Sequence, residues 1–210
     1  MKNHRPRSLL ARIIPLWLAT ALLACSPPQP PQLQQGTLLP SAKPIAGFNL
    51  MNDKGEAFSL DSLKGHWTFA FFGYSHCPDV CPTTLGMLGQ VMHKLQARSG
   101  SDSMPQGVFV SVDPQRDTPE MLSKYVHYFY PDFVGVTGAP AEIRALTRQL
   151  GILYLKTAGS DTEDYLIDHS AAIILFDPQG KFHALFNVPH DADKIASDFI
   201  KIRDYYEATQ

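Results

Sequence analysis

Two cysteines four positions apart, in Cys77-Pro78-Asp79-Val80-Cys81-Pro82, are the residues of this 210-residue chain best suited to chemistry. If the segment is helical, that spacing puts both on one face, with Cα atoms about 6 Å apart. A disulfide can bridge that distance, and two thiolates can equally converge on one ion. Unpaired N–H groups at a helix start favour the thiolate for either task. Pro82 suits a first turn, where its missing N–H needs no partner. A purely structural disulfide is the poorer reading, because closing so short a loop adds little stability.

A metal would ask for a third donor, and the chain offers 8 histidines. His4 precedes an apolar leader, and His93 and His127 fall in helical patterns. His66, His183 and His190 sit near element ends, where polar residues are common. His76 adjoins Cys77, but a tight strand-to-helix turn directs it away. His169 differs: in Ile167-Asp168-His169-Ser170 it stands immediately before a buried apolar run, residues 171–176.

The elements that must position these residues follow from periodicity. Residues 67–74 and 107–112 are near-continuous apolar runs, as in strands buried on both faces. Between them Leu85, Leu88, Val91, Met92 and Leu95 recur at helical spacing. Thr118 can cap a second helix, with Pro119 in its first position and Glu120 in its first turn. A short strand at 133–136 and a helix at 141–150 follow. Residues 171–176 and 182–186 flank Asp177-Pro178-Gln179-Gly180 as a hairpin, and a last helix runs over 191–206. Ahead of all these, residues 48–50 and 57–60 flank Asn52-Asp53-Lys54-Gly55 as a further hairpin. Periodicity specifies an α/β sandwich with a mixed sheet. The order βαβ then ββα is the thioredoxin arrangement, in which the loop before the third buried strand faces the cysteine helix. The expected fold class is therefore α/β, thioredoxin-like, with a mixed central sheet flanked by helices and an N-terminal hairpin extension.

Charge and the N-terminus bound the setting. Lys+Arg 18 against Asp+Glu 20 excludes a basic protein that holds nucleic acid by neutralising phosphates. Lys2, Arg5, Arg7 and Arg12 precede an apolar run at 13–24, too short to span a bilayer but suited to a secretory leader. It ends Leu22-Leu23-Ala24-Cys25, which resembles the lipobox of a bacterial lipoprotein, with Cys25 as the lipidated residue. Removing residues 1–24 takes four basic and no acidic groups, so the net charge moves from −2 to −6. Residues 25–44 are rich in Pro and Gln and read as an extended tether, leaving 45–210 as the folded domain.

Cys-Pro-Asp-Val-Cys-Pro, then Ser111-Val112-Asp113-Pro114-Gln115-Arg116-Asp117-Thr118-Pro119, then Asp168-His169-Ser170 resemble the three signature blocks of the Sco/SenC family. The resemblance runs over nearly all of 44–206. It implies a thioredoxin-like domain with a copper site made by Cys77, Cys81 and His169. Two thiolates and an imidazole suit Cu(I) and also accommodate Cu(II), whereas structural zinc prefers four ligands. Asp79, Asp113 and Asp117 fall in the same blocks and are read as orienting the site or docking a partner, with no ligation assigned; for Asp117 the equal alternative is a cap on the following helix.

The implied function is a copper chaperone, a binding and transfer protein without turnover chemistry. It would be lipid-anchored in the bacterial cell envelope, face the periplasm and deliver copper to the dinuclear copper centre of cytochrome c oxidase. The rival is a thiol–disulfide oxidoreductase using Cys77 and Cys81 as a redox pair. Implied partners are the copper-acceptor subunit of the oxidase, then other periplasmic copper carriers or thiol reductants, with the protein itself a monomer.

Overall fold

The computed structural model describes residues 28–99, 104–157 and 165–210, so the expected leader and Cys25 lie outside the described residues. An eight-stranded sheet is built from β1 (Gly36–Lys43), β2 (Asn49–Asn52), β3 (Ala57–Ser59), β4 (Thr68–Gly73), β5 (Gln106–Ser111), β6 (Val134–Thr137), β9 (Ile173–Phe176) and β10 (Phe182–Phe186). A separate two-stranded sheet pairs β7 (Tyr154–Lys156) with β8 (Ile167–His169). The helices are α1 (Val80–Ser99), α2 (Pro119–Phe129), α3 (Pro140–Leu150) and α4 (Ala192–Ala208).

The large sheet runs β1-β10-β9-β4-β5-β6-β2-β3. Strands β4, β5 and β6 are parallel, and the remaining pairings are antiparallel. Every residue of β4 is buried, which is why its sequence after Thr68, Phe-Ala-Phe-Phe-Gly, carries no polar side chain and does not alternate. Helix α1 packs against α4, α2 against β6 and α3 against β2. This is the expected α/β architecture. Thr118 caps α2 by accepting from the Met121 amide, ahead of Pro119.

The expected tether is corrected by the structure. Residues 36–43 are strand β1, antiparallel to β10, and not part of a spacer. Pro40 misleads because proline cannot donate to a ladder, yet β1 is an edge strand whose register shifts between Leu38 and Lys43. The strand is also pinned from α4. The Asp198 carboxylate, fully buried, accepts the backbone N–H groups of Gln34, Gln35 and Gly36 at 2.7–2.9 Å. Among the described residues, no helix is long and apolar enough to cross a membrane.

Candidate metal centre

Strand β4 delivers the chain to the site and ends on Gly73. A Cβ there would stand 2.5 Å from the Cys81 sulfur, so only glycine leaves room for it. The turn that follows is tied down from the loop after β5. Asp117, fully buried, accepts from the Ser75 amide at 3.0 Å, the Ser75 hydroxyl at 2.5 Å and the Ser111 hydroxyl at 2.6 Å. These bonds fix the backbone two residues ahead of Cys77.

The two cysteines do not share a helical face. Helix α1 begins at Val80, so Cys81 sits in its first turn while Cys77 lies in the preceding turn, its N–H donating to the Tyr74 carbonyl. Pro78 accounts for this, since a residue before proline is pushed out of the helical region. Both are free thiols; Cys81 is fully buried and Cys77 half-buried. The expected helix-start activation does not reach Cys81. Burial pushes its thiol well up, a hydrogen bond from the Tyr74 backbone opposes that, and the charge of Cys77 adds to the rise.

His169 arrives as the last residue of β8. Its Nε2 lies 3.1 Å from Cys81 Sγ, and its Nδ1 is 3.1 Å from the Ser170 carbonyl oxygen. A carbonyl only accepts, so Nδ1 carries the proton and Nε2 presents its lone pair to the sulfurs. Phe71 and Tyr74 place ring edges against the imidazole, each with centroids 5.9 Å away. Burial lowers the His169 pKa against the hydrogen bond to Ser170 and the charge of Asp168, keeping the ring neutral as a ligand must be.

Ligand atoms of Cys77, Cys81 and His169 all lie within 4.8 Å of one another. Two sulfurs and one imidazole nitrogen, close enough to share an ion, form a soft donor set that fits monovalent copper better than calcium, magnesium or a four-ligand zinc site. A bound cation would draw the thiols to thiolates despite their burial.

The three acidic residues singled out in the sequence lie apart from that cluster and do different things. Asp117 pins the Cys77 turn. Asp113 accepts from the Tyr165 hydroxyl at 2.5 Å and pairs with Arg116. Asp79 is exposed; its carboxylate accepts from the Thr83 hydroxyl at 3.5 Å and its carbonyl from the Thr83 amide at 3.2 Å. His76 faces the Ser75 hydroxyl and Asp117, as the turn geometry predicts. Gly73, Tyr74 and Tyr165 were not expected at the site. Gly73, closing an apolar run two residues from a Ser-His-Cys turn, is the one the sequence signals.

The family model described as SCO1/SenC matches residues 38–204. The chain belongs to the SCO1/SenC family. Within that family it is 40% identical over 159 residues to the mitochondrial SCO1 homolog 1 of Arabidopsis thaliana, covering 75% of this chain and 47% of that protein. It is 33% identical over 193 residues to a SCO2-like protein of Rickettsia prowazekii (strain Madrid E), covering 91% and 93%. The chain thus spans about half of the plant relative and nearly all of the bacterial one. Among solved structures it is similar to Arabidopsis thaliana ScoI with copper bound, at 38% identity and TM-score 0.70, covering 76% of this chain and 98% of that one. The fold shared with that structure is the thioredoxin-like α/β arrangement expected from the sequence.

Proposed function

We propose that this SCO1/SenC chain is a membrane-tethered copper chaperone. It holds one copper ion through Cys77, Cys81 and His169 and delivers it to the dinuclear copper centre of cytochrome c oxidase. The observation that carries the reading is the convergence of two free thiols and a neutral imidazole within 4.8 Å. The copper-bound Arabidopsis structure supports it. The third donor sits on a hairpin outside the main sheet. That placement suits cargo that must leave better than a resident ion. Lipid on Cys25 would hold the domain at a bacterial membrane, facing the periplasm, and the partner is the copper-acceptor subunit of the oxidase.

The second reading is a thiol–disulfide oxidoreductase acting on the acceptor's cysteines, favoured by the free, neighbouring thiols of Cys77 and Cys81. His169 separates the two. In His169→Ala, a competing Cu(I) chelator and Cu(II) titration should report weakened binding, with Cu(II) hit harder. Dithiol oxidation should persist, because exchange depends on thiolate fraction and access. Cells carrying the variant should lose oxidase activity, with partial rescue by added copper. Full copper affinity together with full oxidase assembly would overturn the chaperone reading.

A further inference from the structure

His169 reaches the cysteines on a hairpin that pairs with no strand of the eight-stranded sheet; the short link 170–172 ties its end to β9, and side-chain contacts hold the rest of it to the body. Along the extended segment that ends in β8, alternate residues face opposite ways. Tyr165 and Ile167 are 6% and 7% exposed, while Leu166 between them is 52% exposed. Asp168 is exposed as well. Tyr165, Ile167 and His169 therefore form one row turned toward the body of the domain.

That row is held at three points. His169 lies against Phe71 and Tyr74. In the middle, the Ile167 N–H donates to the Tyr74 hydroxyl at 3.2 Å. At the far end the Tyr165 hydroxyl donates to Asp113 at 2.5 Å, with Gln115 Oε1 at 3.4 Å. The Asp113 carboxylate is itself buried and paired with Arg116. The Arg116 guanidinium stands 3.7 Å from the Tyr165 ring centroid and Lys156 Nζ 3.5 Å, so the negative ring face meets cations. Burial pushes the Tyr165 phenol up to about 12, with the Asp113 carboxylate adding to the rise, so it remains an O–H donor at any working pH.

We propose that Tyr165 is a positioning residue for His169: its bond to Asp113 latches the β7–β8 hairpin to the body and sets how firmly the third donor is held against the two sulfurs. The inference rests on the copper reading above. Four residues of extended chain put the latch about 13 Å from the imidazole, beyond contact with any bound ion. Partners that orient a ligand from outside typically shift metal affinity about 10–100-fold when removed. Cu(II) leans on the imidazole nitrogen more than Cu(I) does, since two thiolates already satisfy the softer ion. The latch therefore governs retention of Cu(II) above all.

The test uses the full chain purified in detergent. Tyr165→Phe keeps the ring against Arg116 and Lys156 and deletes only the donor. In metal-free protein, amide exchange at Ile167 and His169 should accelerate about tenfold while β4 and β5 keep their protection. Cu(II) affinity should fall about tenfold, and Cu(I) affinity should change much less. Asp113→Asn keeps an acceptor for the phenol and should stay nearer wild type than Asp113→Ala in both measurements. Wild-type exchange and Cu(II) affinity in Tyr165→Phe would overturn the latch, as would equal loss of both copper states with exchange rising throughout the sheet. If His169→Ala leaves copper binding intact, the copper reading fails instead, whatever the exchange data say of the hairpin.

Discussion

His169 Nε2 and Cys81 Sγ lie 3.1 Å apart although 88 positions separate them in the chain. One comes from the two-stranded hairpin and the other from the first turn of α1. The donor cluster therefore exists only in the folded domain, and any ion it holds is coupled to folding.

The two thiols should differ in reactivity. Cys81 is fully buried and its thiol is pushed up by burial, whereas Cys77 is half-buried. A maleimide applied to metal-free protein at neutral pH should label Cys77 first and Cys81 far more slowly. Peptide mass spectrometry over a time course checks this, and equal labelling would contradict the burial.

Gly73→Ala should harm both stability and the site. The added Cβ would meet the Cys81 sulfur at 2.5 Å and the Phe109 ring at 3.0 Å. Overpacking of this kind costs about 1–3 kcal/mol, readable in urea unfolding. The displaced sulfur should also weaken copper binding, so wild-type values for both would refute the close approach.

Asp117→Ala should loosen the turn ahead of Cys77. It strands the amide and hydroxyl of Ser75 and the hydroxyl of Ser111. Each buried donor left without an acceptor costs about 1–3 kcal/mol, although the two hydroxyls can rotate toward other partners. A net loss of about 3 kcal/mol is expected, and a smaller one for Asp117→Asn, which retains an acceptor oxygen. Denaturant midpoints at constant slope provide the measurement.

Metal-free protein should lose stability in mild acid. Burial lowers the pKa of His190, against its bond to the Phe186 carbonyl, and of His169. Below the unfolded value of about 6.5 the unfolded chain takes up protons that the folded chain resists. Stability therefore falls as pH drops from there through the lowered folded values, and neither group contributes above about pH 7.5. Melting temperatures between pH 8 and 5 should show this slope, and His190→Gln should flatten it. An unchanged slope in that variant would assign it elsewhere.

Much of this arrangement was legible from residue patterns. Strands β4 and β5 read directly as apolar runs, and Thr118-Pro119 marked the start of α2 by capping chemistry. The cysteines were legible from type and spacing, yet their true placement was not, because Pro78 keeps Cys77 off the helix. Strand β1 was hidden by Pro40, whose meaning changes once its strand is known to lie on an edge. Strands β7 and β8 have three residues each, too few for alternation to register, so His169 stood out only by its place before a buried run. The bond from Tyr165 to Asp113 spans 52 positions and has no local signature at all.

The clasp of Asp198 on residues 34–36 also sets where the chain joins the sheet. Gly36 pairs with Phe186, Phe186 with Ile173, and Ile173 with Phe71, one continuous row across four strands. Strand β1 runs opposite to β4, so the chain enters the sheet at the rim where β4 leaves it for Cys77 and Cys81. Three strand spacings, about 14 Å, separate that point of entry from the strand that leads into the cysteines. Ahead of Gln34 the chain lies along α4, the Gln32 carbonyl accepting from Lys201 Nζ at 3.0 Å, and Pro30 and Pro31 share a groove with Leu39, Pro40 and Tyr205. With Cys25 lipidated as proposed, the five steps from it to Pro30 span no more than about 18 Å, which would hold the surface beside Tyr205 close to the bilayer.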